Sequence, residues 1–152
     1  TYSALLIAAG SPQHFLGIDP DGQTCSVTTT GNPHAHLVLR AGARPNYDSA
    51  SIGEARVMLE AKGVARAIMV DCSHGNSRKN HALQASVWQD VINQRLDGND
   101  AIIGMMLESN LEEGSQKFTP EPTQLRHGIS ITDACIGWED TERCVLDVAA
   151  AV

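Results

Sequence analysis

Three short apolar runs, HLVLR (36–40), AIMVD (67–71) and AIIGMML (101–107), end on or against a charged residue: Arg40, Asp71 with His74 just beyond it, and Glu108. A guanidinium at such a position suits a bidentate grip on a carboxylate or phosphate. Imidazole nitrogen beside carboxylates suits a divalent transition metal: nitrogen favours Mn, Fe, Co or Zn over Mg or Ca, and carboxylates keep the site hard enough for an exchangeable ion. Taken singly, each residue has an ordinary reading: Arg40 a solvated strand end, His74 a hydrogen-bonded loop residue. Their recurrence at equivalent positions in successive units is what filler does not do. The run MVDCSHGNS (69–77) is the most crowded of these ends. Ser73 and His74 are too close in sequence to form a hydrolase pair, and no G-x-S-x-G, Walker A or G-x-G-x-x-G pattern is present. Cys72 could serve as nucleophile or ligand, but strand alternation turns it away from the face of Asp71, so it reads as core.

Residue pattern assigns the elements that must position these groups. Tyr2–Ala9 is helix-compatible and stops at Gly10–Ser11–Pro12. His14–Ile18 reads as a strand, Asp19–Pro20–Asp21–Gly22 as a turn, and Thr24–Thr30 as a returning hairpin arm. A helix capped by Asp48 carries Ile52, Ala55, Met58 and Leu59 on one face and ends near Lys62–Gly63. A second carries Leu83, Val87, Val91 and Ile92 and ends near Gly98. A polar connection from Glu112 to His127 shows no periodicity. A last helix, from Asp133 or Trp138 to Ala150, turns Val145 and Val148 inward. Apolar strands alternating with amphipathic helices predict an α/β fold with parallel strands covered on their faces, and such sheets gather their chemistry at the carboxyl ends of the strands.

With 152 residues the chain holds one domain, and a net charge of −7 with scattered Lys and Arg argues against nucleic-acid binding. No apolar stretch approaches the ~18–20 residues of a membrane span. Cys25, Cys72, Cys135 and Cys144 form no C-x-x-C pair and read as reduced thiols in a cytoplasmic protein. The chain starts at Thr1 rather than Met, so a processed product or a piece of a longer protein is expected.

Larger blocks then become distinctive. Gly31–Asn32–Pro33, His36 to Arg40, Pro45–Asn46–Tyr47, the whole of 69–77, Ile102–Ile103–Gly104, Glu108–Ser109–Asn110, Glu113–Gly114 and SITDACIGWEDT (130–141) closely resemble class I 3-deoxy-D-arabino-heptulosonate 7-phosphate (DAHP) synthases. The resemblance runs in register along essentially the whole chain. It implies the C-terminal half of a (β/α)8 TIM barrel, strands 5–8 with their helices, with a β-hairpin insertion near residues 14–30 that is similar to the family's regulatory insertion. Residues 1–152 would then be a single segment whose N-terminal half lies elsewhere. The implied reaction joins phosphoenolpyruvate to erythrose 4-phosphate, releasing phosphate, at the start of the shikimate pathway. By that resemblance His74, Glu108 and Asp133 are metal ligands, Arg40 binds phosphoenolpyruvate, His74 and Arg40 are the catalytic pair, and Asp133 also borders the substrate. A homo-oligomer, and feedback by an aromatic amino acid with a lean to tyrosine, are implied as well. The fragment alone is expected to be inactive, and a non-catalytic half-barrel serving binding or assembly is the alternative. One departure bears on the site: the family's Arg-Gly-Gly is Arg40–Ala41–Gly42 here, so Ala41 would strain the loop if that position needs φ > 0.

Overall fold

The computed structural model describes residues 2–151. Its helices are α1 (Tyr2–Gly10), α2 (Ser49–Glu60), α3 (Gln84–Leu96) and α4 (Trp138–Ala151). Its strands are β1 (His14–Ile18), β2 (Thr24–Thr28), β3 (Leu37–Leu39), β4 (Ile68–Asp71) and β5 (Ile102–Met106), with 3-10 turns at His81–Leu83 and Pro122–Gln124. None of these helices is long and apolar enough to cross a membrane.

The strands form two sheets. β1 and β2 pair antiparallel as a hairpin, while β3, β4 and β5 form a parallel sheet in that order. The expected second half of a barrel has four parallel strands, and among the described residues the parallel sheet has three. The hairpin is the one expected near residues 14–30. Gly22 adopts φ 80°, and the Asp19 side chain accepts from the amides of Asp21 and Gln23 at 3.0 and 2.9 Å. The chain therefore reverses at once, and β1 pairs antiparallel with β2.

The core lies on one side of the parallel sheet. Leu37 and Leu39 of β3 and Ile68 and Val70 of β4 pack with Ile52, Ala55 and Leu59 of α2 and with Val87 and Val91 of α3. The alternate residues Val38 and Met69 face the other way, and Val38 is 40% exposed. Continuing that alternation by two residues puts Arg40 and Asp71 at the rim of this second face. Cys72 falls on the helix-packed side and is fully buried. Three expected core residues lie outside the core: Met58, Leu83 and Val145 are exposed, while Val148 is half-buried. On α4 the buried residue is Cys144, whose carbonyl accepts the indole N–H of Trp88 at 3.0 Å.

Asp48 caps α2 as expected, accepting the Ser51 amide at 3.0 Å and the Ser51 hydroxyl at 2.7 Å. The backbone bond from Ser51 is the main reason its carboxyl sits below the usual carboxylate range. A lowered folded-state value means the stabilisation is present above the ordinary carboxylate range and fades as pH falls through the lowered value. Asp48→Ala is therefore expected to cost about 1 kcal/mol at neutral pH. Thermal melts of both proteins at descending pH should show the gap closing below pH ~4.

Candidate metal centre at the strand ends

Directly after β4 the backbone turns sharply, with His74 at φ 43° and Arg78 and Lys79 at φ 54° and 60°. Non-glycine residues hold such conformations only when the surroundings fix them, and here side chains do so. Asp71 Oδ1 accepts the Ser73 amide at 2.8 Å, and Asp71 Oδ2 lies 2.7 Å from His74 Nδ1. Buried Asn76 donates to the carbonyls of Asp71 (2.8 Å) and Leu39 (3.1 Å), and its own oxygen accepts the Asn46 amide at 2.8 Å. The ends of β3 and β4 are thereby tied to one loop.

The other imidazole nitrogen, His74 Nε2, faces Glu108 Oε1 at 3.2 Å and Asp133 Oδ2 at 3.9 Å. Glu108 emerges two residues beyond β5. Its amide donates to Gln84 Oε1 at 2.8 Å and its carbonyl accepts from Gln84 Nε2 at 3.2 Å, while Ser73 Oγ donates to its carboxylate at 2.7 Å. Asp133 comes from the stretch between the polar connection (112–127) and the start of α4 at Trp138. Bridges between Ser109 and Ile136, Gly114 and Cys135, and Ser115 and Ser130 fold that segment back over the end of β5. The Ile136 amide donates to the Glu108 carbonyl at 3.0 Å, so the two acids are placed by one backbone link.

One donor atom from each of His74, Glu108 and Asp133 lies within 4.8 Å of the others. Two atoms bound to one ion at ~2.0–2.2 Å lie at most ~4.4 Å apart, and both distances from Nε2 fall within that limit. One imidazole nitrogen with carboxylate oxygens is the donor set of an exchangeable transition metal. The cavity beside the triad, lined also by Lys79 and His81, measures about 50 Å³. That is room for an ion and its water, far short of the ~300–1,000 Å³ of a small-molecule pocket. A larger cleft of about 400 Å³ lies between Leu111, Glu113 and Trp138 and includes none of the three donors.

Arg40 is placed on the same rim but outside this small cavity. Its side chain is 63% exposed, and Nε lies 3.8 Å from Asp71 Oδ2. Ala41 does adopt φ 68°, held by a bond from its amide to Asn46 Oδ1 at 2.8 Å. The cysteines take no part: burial pushes Cys72 up to about 12, with the nearby Asp71 charge adding to it, and burial also raises Cys135 and Cys144. All four thiols are free. Sequence reasoning missed Gln84, the fully buried amide that holds the Glu108 backbone. It stands three and seven residues before Val87 and Val91, so a polar residue on the apolar stripe of α3 was the available signal.

Residues 4–145 match the model of the DAHP synthetase I family. The Tyr-sensitive phospho-2-dehydro-3-deoxyheptonate aldolase of Salmonella typhimurium is 43% identical over 141 residues, 93% of this chain and 40% of that protein. The Phe-sensitive enzyme of Escherichia coli is 44% identical over 146 residues, 95% of this chain and 41% of that protein. The solved phospho-2-dehydro-3-deoxyheptonate aldolase of Francisella tularensis superposes with a TM-score of 0.89 at 37% identity, covering 99% of this chain and 43% of that one. The chain thus spans about two fifths of the length of these relatives. Family model, sequence identity and superposition agree, and the chain belongs to the DAHP synthetase I family.

Proposed function

We propose that this chain contributes the metal-binding rim of a DAHP synthase, which joins phosphoenolpyruvate to erythrose 4-phosphate and releases phosphate. The observation that carries this reading is the convergence of His74, Glu108 and Asp133 at the carboxyl end of a parallel sheet. His74, Glu108 and Asp133 would hold a divalent metal, with Mn, Fe, Co and Zn all compatible with the donors. Such an ion, when bound, polarises the aldehyde carbonyl for attack. Arg40 stands on the same rim to hold an anionic substrate and orient it, and Asp133 borders the space between them. The relatives named Tyr-sensitive and Phe-sensitive suggest an aromatic amino acid as regulator, with tyrosine retained on the residues of the hairpin and of 108–110.

In this reading residues 1–152 supply consecutive βα units of a (β/α)8 barrel. The 50 Å³ cavity supports it, because the remaining walls of a substrate pocket must come from other chain. A cytoplasmic homo-oligomer is part of the same proposal. An assembly module is a second reading, supported by the open edges of β3 and β5 and by the half-open face at Val38.

Titration calorimetry tests the site. Mn²⁺ should bind the chain, and His74→Ala should weaken that binding about tenfold or more, since it removes the only nitrogen donor of the triad. Identical traces would refute the site. Turnover of both substrates by the 152-residue chain alone would overturn the claim that it needs the rest of a barrel, and a monomer on size exclusion would count against the assembly reading.

A further inference from the structure

Asp71 is the one carboxylate of the rim that is fully buried, and it is not among the three donors. Both its oxygens are engaged: Oδ1 by the Ser73 amide, Oδ2 by His74 Nδ1 at 2.7 Å, with Arg40 Nε on the same oxygen at 3.8 Å. A buried carboxylate costs several kcal/mol unless it is paired and hydrogen-bonded, and here the pairing is to the two residues assigned separate tasks. Oδ2 meets the imidazole nitrogen remote from Glu108 and Asp133, so its geometry is that of an orienting group and not of a ligand.

We infer that Asp71 is a positioning residue that holds His74 with Nε2 toward the metal and ties this ligand to the anion-binding Arg40. The inference rests on the metal reading above. Accepting a hydrogen bond from Nδ1–H leaves the Nε2 lone pair for the ion and fixes the ring plane. The backbone shows the same constraint: His74 sits at φ 43°, a left-handed conformation that persists where the surroundings fix it, here with Asp71 bonded to the Ser73 amide and the His74 ring. Strand register explains why one group serves both residues. Arg40 and Asp71 each lie one residue beyond paired positions, since Leu39 pairs with Val70, so they are lateral neighbours on the same face.

Calorimetry with Mn²⁺ on the wild type, Asp71→Asn, Asp71→Glu and His74→Ala separates this inference from the reading it rests on. Circular dichroism first establishes which variants are folded at the working temperature. Asp71→Asn should bind Mn²⁺ about 10- to 100-fold more weakly, and Co²⁺ taken up by it should show a shifted visible absorption band, which a purely structural role would leave in place. Asp71→Glu keeps the charge but moves it by a methylene, and it too should bind more weakly. Wild-type affinity and an unshifted Co²⁺ band in any folded Asp71 variant would overturn the inference while a weakened His74→Ala left the site standing. Wild-type protein that takes up no Mn²⁺, or His74→Ala that binds as the wild type does, would remove both.

Discussion

Gly75→Ala is expected to destabilise the chain by about 1–3 kcal/mol, the range for forcing extra carbon into a filled space, and Ala41→Gly in the same molecule should recover most of that loss. A Cβ built on Gly75 would come within 2.6 Å of the Ala41 Cβ and 3.2 Å of the Arg40 carbonyl oxygen. Real carbons do not approach that closely, so either the β3–α2 loop or the loop carrying His74 has to move. Both carry site residues, Arg40 on one and His74 on the other. Ala41 adds a second cost, since φ 68° is a left-handed conformation that disfavours a side chain by roughly 1–2 kcal/mol. Ala41→Gly alone should therefore be neutral or stabilising by up to ~1 kcal/mol, partly offset by the greater freedom of glycine in the unfolded chain. Chemical denaturation of the four proteins forms a double-mutant cycle, and a coupling above ~1 kcal/mol is expected for side chains in direct contact. Strictly additive effects would show that the two loops do not press on one another.

Gln84→Leu is the second large effect. The amide of Gln84 accepts the Glu108 N–H and donates to its carbonyl from a fully buried position. That carbonyl keeps the Ile136 amide as a partner, whereas the N–H has no other among the described residues. Leucine, close to glutamine in volume, would fill the space but orphan that donor, at about 1–3 kcal/mol. Gln84→Glu retains an acceptor for the N–H but sets a buried carboxylate oxygen against the Glu108 carbonyl, so it should be no milder in urea unfolding. Since the same bond fixes the start of the Glu108 side chain, Gln84→Leu should also weaken Mn²⁺ binding, whereas a purely structural defect would lower the midpoint and leave affinity unchanged in the folded protein. Modification of Cys72 gives no such handle on the site, because burial pushes its thiol up to about 12 and closes it off from reagents.

Local chemistry determined a good deal of this molecule. Asp19–Pro20–Asp21–Gly22 makes a hairpin by itself, Asp48 caps a helix by itself, and the spacing of Ile52, Ala55 and Leu59 selects the face that is buried. Alternation along AIMVD put Cys72 and Asp71 on opposite faces before any partner was considered, and the charged ends of the three apolar runs marked the rim. Tertiary structure decided what alternation leaves open. Periodicity identifies an apolar stripe but not whether anything packs on every part of it, and so Met58, Leu83 and Val145 lie in solvent while Gln84 is buried. The extent of the parallel sheet was settled by pairing as well: among the described residues it holds β3, β4 and β5, one strand fewer than expected. Asp133 lies near His74 because three isolated bridges join residues 109–115 to residues 130–136, and those bonds join backbones whose residue types do not encode them. Residue type and period therefore supplied the donors and the faces, while their distances depended on backbone hydrogen bonds between segments remote in the chain.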